Sequence, residues 1–200
     1  MATRVLRNLV LLITVTGLLS SCASLLEQEP EETRLYSVDL PAGFEDSCVG
    51  GQLEGDGLPF PIVDESVSIS EGKDASSDQT NSIHYSCKWE IDEDAMGFTP
   101  RSATLSVSVK DYRDYGEFNL EDPNVPGEVV IDSLDGWDYG YCALLAEPYT
   151  DGSGVLEGDE CVARSSNMEV TVDTYHPVEI DMPAFMEELA PLLQQAFAKS

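Results

Sequence analysis

Apolar and polar side chains alternate most regularly in SIHYSCKWEI, residues 82–91. There Ile83, Tyr85, Cys87, Trp89 and Ile91 are separated by Ser82, His84, Ser86, Lys88 and Glu90. A period of two predicts a strand with one face in a core and the other in water, and it sets Cys87 beside Trp89 on the buried face. SATLSVSVK, residues 102–110, repeats the pattern with Ala103, Leu105, Val107 and Val109. MEVTVDTY, residues 168–175, does so with Met168, Val170 and Val172. Val67 and Ile69 predict a short strand, Val129–Ile131 another, and Trp137–Leu145 and Cys161–Arg164 two more. The stretches between are read as loops. Residues 43–65 are rich in Gly and Pro, with room for one helical turn, and EGKDASSDQTN (71–81) is a solvated loop. Residues 111–126 are acidic and punctuated by Pro, with room for a short helix, and EPYTDGSGVLEGDE (147–160) is a turn.

The period changes at the end of the chain. Met182, Phe185, Met186, Leu189, Leu192, Leu193, Ala196 and Phe197 recur at helical spacing. Asp181 is placed to cap that helix and Pro183 falls in its first turn, where a missing N–H costs nothing. Pro191 is expected to kink or weaken the helix. Strands followed by one amphipathic helix predict an α+β fold, a mainly antiparallel sheet packed by the C-terminal helix.

The beginning is different again. Arg4 and Arg7 precede LVLLITVTGLL, residues 9–19, an uncharged run that ends in Ser20, Ser21 and Cys22. Crossing a hydrocarbon layer of ~30 Å takes about 20 apolar residues, so this run reads as an export signal and not as an anchor helix. Leu19-Ser20-Ser21-Cys22 resembles the lipobox of bacterial lipoproteins. The resemblance implies that Cys22 is acylated, with palmitate-like chains, and becomes the mature amino terminus once the signal peptide (1–21) is cut away. Two or more chains make such anchoring stable where one is marginal. Residues 22–37 then form an acidic tether, interrupted by Pro30. About 14 flexible residues span roughly 20 Å on average. Residues 38–200 remain as a single domain. The expected location is the extracytoplasmic face of the cell membrane.

Beyond Cys22 there are four cysteines, Cys48, Cys87, Cys142 and Cys161. An even number in an exported chain predicts two disulfides. Three connectivities are open, and Cys48–Cys87 with Cys142–Cys161 closes the shorter loops. No close CxxC pair suggests zinc.

Charge narrows the partners. All acidic residues lie beyond the leader, and the 10 basic residues less Arg4 and Arg7 leave 8 against 38 acidic ones, a net −30. That surface repels nucleic-acid phosphates and anionic headgroups, so nucleic acid is excluded and the membrane is met through the lipid anchor only.

Short motifs extend the likeness. Asp46-Ser47-Cys48, Cys87-Lys88-Trp89 and Cys161-Val162-Ala163, together with the lipobox and the terminal helix, resemble the plan of the DUF3558 group of actinobacterial lipoproteins. Here the terminal helix carries no cysteine, a departure from many of that group. The resemblance implies location and fold plan, since the group has no established activity.

Catalytic motifs are absent from the sequence. His84 and His176 stand apart, and Gly152-Ser153-Gly154 lacks a strand–turn–helix setting. No catalytic residue, metal ligand or cofactor is therefore assigned. Acidic runs at Asp92-Glu93-Asp94 and at Asp151 through Glu160 (including Glu157 and Asp159) are the places a cation would bind, and Tyr112, Tyr115, Trp137, Tyr139 and Tyr141 those that would line an aromatic pocket. The expected function is a non-enzymatic binding or interaction module of the cell envelope, with an unidentified envelope ligand or protein. The alternatives are a carboxylate-based envelope glycan hydrolase, whose two carboxyls would stand about 5 Å or 6.5–9.5 Å apart, and a calcium-dependent envelope protein.

Overall fold

The computed structural model describes residues 36–53, 58–76, 79–91, 101–121, 128–148, 155–175 and 180–199. Cys22 and the leader lie outside them, as do Asp92-Glu93-Asp94, Asp151 to Gly154 and His176. The described residues contain seven strands: β1 (Ile62–Lys73), β2 (Thr80–Ile91), β3 (Arg101–Lys110), β4 (Glu128–Ile131), β5 (Tyr139–Pro148), β6 (Val155–Ser165) and β7 (Met168–Tyr175). They form one sheet in the order β1-β2-β3-β7-β6-β5-β4. Every neighbouring pair is antiparallel. Two meanders, β1–β3 and β4–β7, thus meet along β3 and β7. The connection after β3 leads from the middle of the sheet to its far edge.

The alternating segments explain this sheet. Ile83, Tyr85, Cys87, Trp89 and Ile91 of β2 lie in register with Val109, Val107, Leu105, Ala103 and Arg101 of β3. Met168, Val170 and Val172 continue the rows on β7, and all three are fully buried. Helix α1 (Met182–Ala196) packs on this face, with Met182, Phe185, Met186, Leu189, Ala190 and Leu193 turned inward. Asp181 caps it by accepting from the Ala184 N–H at 3.1 Å. The helix is continuous through Pro191, which stands on the solvent side. Phe60, Trp89 and Phe185 meet in tilted pairs with centroids 5.8, 6.1 and 6.2 Å apart, a favoured aromatic geometry.

Two disulfides are present, Cys48–Cys87 and Cys142–Cys161. The first fixes a 3-10 turn, Cys48–Gly51, against β2. In that turn Val49 has φ 50°. A β-branched residue in this left-handed region costs about 1–2 kcal/mol. The Val49 N–H donates to the Tyr85 hydroxyl at 2.8 Å and the side chain is fully buried, which offsets the cost.

The strands are longer than the alternation predicts. β1 covers much of what reads as loop at 62–66 and 71–73, and β6 begins at Val155, inside the expected turn. The region 111–121 holds no helix. β1 is legible only at its middle, Val67 and Ile69, because it is an edge strand. Glu65 and Glu71 sit opposite Trp89 and Ile83 on the core side, while Ser66, Ser68 and Ser70 face water, so the alternation does not extend to the strand's ends. Inward charges of this kind block edge-to-edge pairing, and the other edge, β4, is only four residues long.

Candidate functional site

The sheet face away from α1 is polar. On β1 to β3 it presents Ser68, Ser86 and Ser106 in one row and Ser70, His84 and Ser108 in the next. His84 is exposed, with Nδ1 2.9 Å from Ser108 Oγ. On β5 and β6 the same face turns apolar, with Tyr141, Ala143 and Val162 forming a second small cluster under Phe118 and Val129. Phe118 belongs to the connection after β3, which passes over these strands. Its ring meets Tyr141 edge-on at 4.9 Å.

Arg164 of β6 pins the connection down. Its Nε and Nη2 both reach Glu169 Oε2 at 2.8 Å. Nη1 donates to the carbonyls of Tyr115, Gly116 and Glu117 at 3.4–3.5 Å. The guanidinium lies 3.8 Å from the centre of the Phe118 ring. Lys110 and Arg113 also approach the Tyr115 ring, at 5.2 and 5.1 Å. Burial raises the Tyr115 phenol pKa, and these cations pull it back.

Between this connection and the β4–β5 turn lies a pocket of about 130 Å³. Phe118, Leu120 and Glu117 form one wall, and residues 132–134 and 137–140 the other. Leu134 packs so closely on Gly140 that a Cβ there would come within 2.7 Å of it, so only glycine fits. Bonds to α1 hold the turn. Trp137 Nε1 donates to the Met186 carbonyl at 2.9 Å, Gln194 Nε2 to the Gly136 carbonyl at 2.7 Å, and the Asp135 N–H to Glu187 Oε1 at 3.2 Å. Asp138 Oδ2 accepts from Ser165 Oγ at 2.9 Å and from the Ser166 N–H at 3.1 Å. The pocket is therefore preformed, its shape set by the sheet and the helix.

Of the five aromatic residues singled out in the sequence, Trp137 and Tyr139 line this pocket and Tyr141 underlies Phe118. Tyr115 is a buried residue of the connection itself and Tyr112 stands exposed. Phe118 and Leu134 had no signal, since each lies in an irregular stretch with no period.

The acidic run at the start of β6 is split by the sheet. Asp159 faces the helix side, opposite Thr174, and Glu160 faces the polar side, opposite Asp173. The expectation that Asp159 and Glu160 belong to one cluster is thus corrected, because successive strand residues point to opposite faces. Glu160 and Asp173 instead form a like-charged cross-strand pair. Burial raises both pKa values, the Asp173 charge raises Glu160 further, and the Tyr141 hydroxyl partly lowers it. Tyr141 itself is pushed up to about 12 by burial and by Glu160. Since the folded state holds its protons more tightly than the unfolded one, this pair opposes folding when ionised. Glu160→Gln should stabilise the protein by roughly 0.2–1 kcal/mol at neutral pH. The gain should fade as pH falls through the raised folded-state value toward the ordinary carboxylate range. Urea denaturation across that window checks it, and a gain independent of pH would contradict it.

Among the described residues no group of three or more His, Cys, Asp or Glu could hold a metal ion, and no helix is long and apolar enough to cross a membrane. Comparison with family models, curated proteins and solved structures finds no match to this chain.

Proposed function

We propose that this chain is a lipid-anchored extracytoplasmic lipoprotein whose α+β domain acts as a non-enzymatic binding module of the cell envelope. The binding site is the pocket between the connection after β3 and the β4–β5 turn. The observation that carries this reading is the pocket's construction. Gly140 leaves room for Leu134, and Trp137, Gln194 and Glu187 anchor the turn. The lipobox-like Leu19-Ser20-Ser21-Cys22 supports the anchor, and two disulfides suit an oxidising compartment.

Cys22→Ser should abolish incorporation of radiolabelled palmitate while leaving the unfolding midpoint of the domain unchanged. Persistent labelling would remove the anchor from the reading. The binding half is tested by a thermal-shift screen of envelope-derived small molecules against the intact protein and against Ser133→Trp, which fills the pocket. A ligand-induced shift that survives in Ser133→Trp would place binding elsewhere.

A second reading, the carboxylate-based glycan hydrolase, is favoured by one feature, the paired Glu160 and Asp173. Burial raises the pKa of both carboxyls, the direction a proton donor requires. Glycan-degrading activity that disappears in both Glu160→Gln and Asp173→Asn would support it over the binding module.

A further inference from the structure

We propose that the pocket binds a small organic cation, an ammonium head of about the size of tetramethylammonium. The inference rests on the reading of this pocket as the binding site and names the chemistry of what enters it.

Three properties of the lining carry it. The lining mixes polar side chains with the rings of Phe118, Trp137 and Tyr139, which stand with Leu134. Ring faces carry negative electrostatic potential and attract a desolvated cation placed over them. The rim carries Glu117, Asp132 and Asp138, and no basic residue lines the cavity. Neither of the two ion pairs between described residues uses these carboxylates. Finally, the donors that an anion would need are scarce, because the Trp137 N–H is already given to the Met186 carbonyl. Tyr139 and Ser133 hydroxyls are left in the lining beside the carboxylates of Glu117 and Asp132, while Asp138 is engaged by Ser165 and Ser166.

Size selects within the cations. The cavity holds about 130 Å³, close to the roughly 150 Å³ of an engineered apolar cavity that admits benzene. A bare calcium ion would want about six to eight converging oxygens, and among the described residues no group of three or more His, Cys, Asp or Glu could hold a metal ion. An alkylammonium head fills the space, meets the rings with its methyl groups and leaves its charge near the rim carboxylates. The fold already sets one cation on these rings, since the Arg164 guanidinium rests 3.8 Å from the centre of the Phe118 ring, so an added cation is received by Tyr139 rather than by Phe118. The surrounding field of a chain with net charge −28 further concentrates cations at the mouth.

The test uses the intact protein in detergent, titrated with tetramethylammonium chloride and choline chloride, and with sodium and calcium chloride at matched ionic strength. Tryptophan fluorescence is followed, since Trp137 lines the pocket. Both organic cations should give a saturable change that the inorganic salts do not give. Asp132→Asn combined with Glu117→Gln, both exposed positions, should weaken it about tenfold, as should Tyr139→Leu. The uncharged isostere of choline, with carbon in place of nitrogen, should bind more weakly by a similar factor. Equal binding of that isostere would overturn the cation inference and leave the pocket a binding site. Responses to tetramethylammonium identical to those to sodium would overturn it as well. A saturable response untouched by Ser133→Trp would overturn the site together with its ligand.

Discussion

Replacing Cys48 and Cys87 together by alanine should lower the unfolding free energy by about 4 kcal/mol, from the loop-closure entropy of a 39-residue link. The corresponding Cys142 and Cys161 change, across 19 residues, should cost about 3 kcal/mol. The order follows from more than loop length. Cys142 and Cys161 sit directly opposite one another on β5 and β6, so the ladder holds them together without the bond. Cys48 belongs to an irregular turn whose other ties to the strands are the Val49–Tyr85 hydrogen bond and the Cys48 N–H to Glu65 Oε1 at 3.3 Å. Urea unfolding of the two double variants under oxidising conditions gives the comparison. A Cys48/Cys87 variant within about 1 kcal/mol of the parent would mean that packing of Phe44, Val49 and Tyr85 alone holds the turn.

The same contrast between ladder and loop explains what the amino-acid sequence discloses. β2 and β3 are legible because each has one face against α1 and one face in water, so Trp89 and Lys88, or Leu105 and Ser106, differ as their surroundings differ. β5 is harder to read. Cys142 faces the helix side while Tyr141 and Ala143 lie under the connection, so both faces are partly covered and the period blurs. β1 shows only its middle, Val67 and Ile69, for the opposite reason, since its core side carries Glu65 and Glu71 at an open edge. The cysteine count points to two disulfides and the shorter loops to the pairing that forms; register sets Cys142 against Cys161, whereas Cys48 meets Cys87 from the 3-10 turn.

At the candidate site, Trp137 and Tyr139 could be picked out by residue type. Phe118 could not, because it reaches them through a long irregular connection whose course depends on Arg164, more than 40 residues away along the chain. Glu160 and Asp173 become neighbours through the β6–β7 register alone, and that register also parts Glu160 from Asp159. Linear clusters of charge are thus poor guides in strands, where adjacent residues serve different faces.

Asn167→Ala should destabilise the protein by about 3 kcal/mol, a large effect for a single polar side chain in a hairpin turn. Asn167 is fully buried beside Ser166, which has φ 50°. Its Oδ1 accepts from the Tyr36 N–H at 2.6 Å, and its Nδ2 donates to the Tyr36 carbonyl at 3.0 Å and to the Lys110 carbonyl at 3.4 Å. Alanine would leave those backbone groups unpaired in a place that excludes water, at about 1–3 kcal/mol for each group that finds no substitute. Tyr36 is nearly fully buried and bridges to Ala198, while the Ser37 N–H donates to the Phe197 carbonyl at 2.7 Å. One amide side chain therefore clips the first described residue to the β6–β7 turn and the end of β3, and the backbone of Tyr36 and Ser37 carries the link on to the segment after α1. Asn167→Asp is the sharper control, since it keeps the acceptor, loses both donors and buries a charge. It should be at least as damaging as alanine at neutral pH and less so in acid, where protonation restores a donor. Urea unfolding of both variants, with amide exchange at Tyr36, measures the effect. If Asn167→Ala stays within about 0.5 kcal/mol of the parent, the segment at Tyr36 is held by its ring and by the Phe197 carbonyl, and the amide clip has no share in fixing where the proposed tether enters the domain.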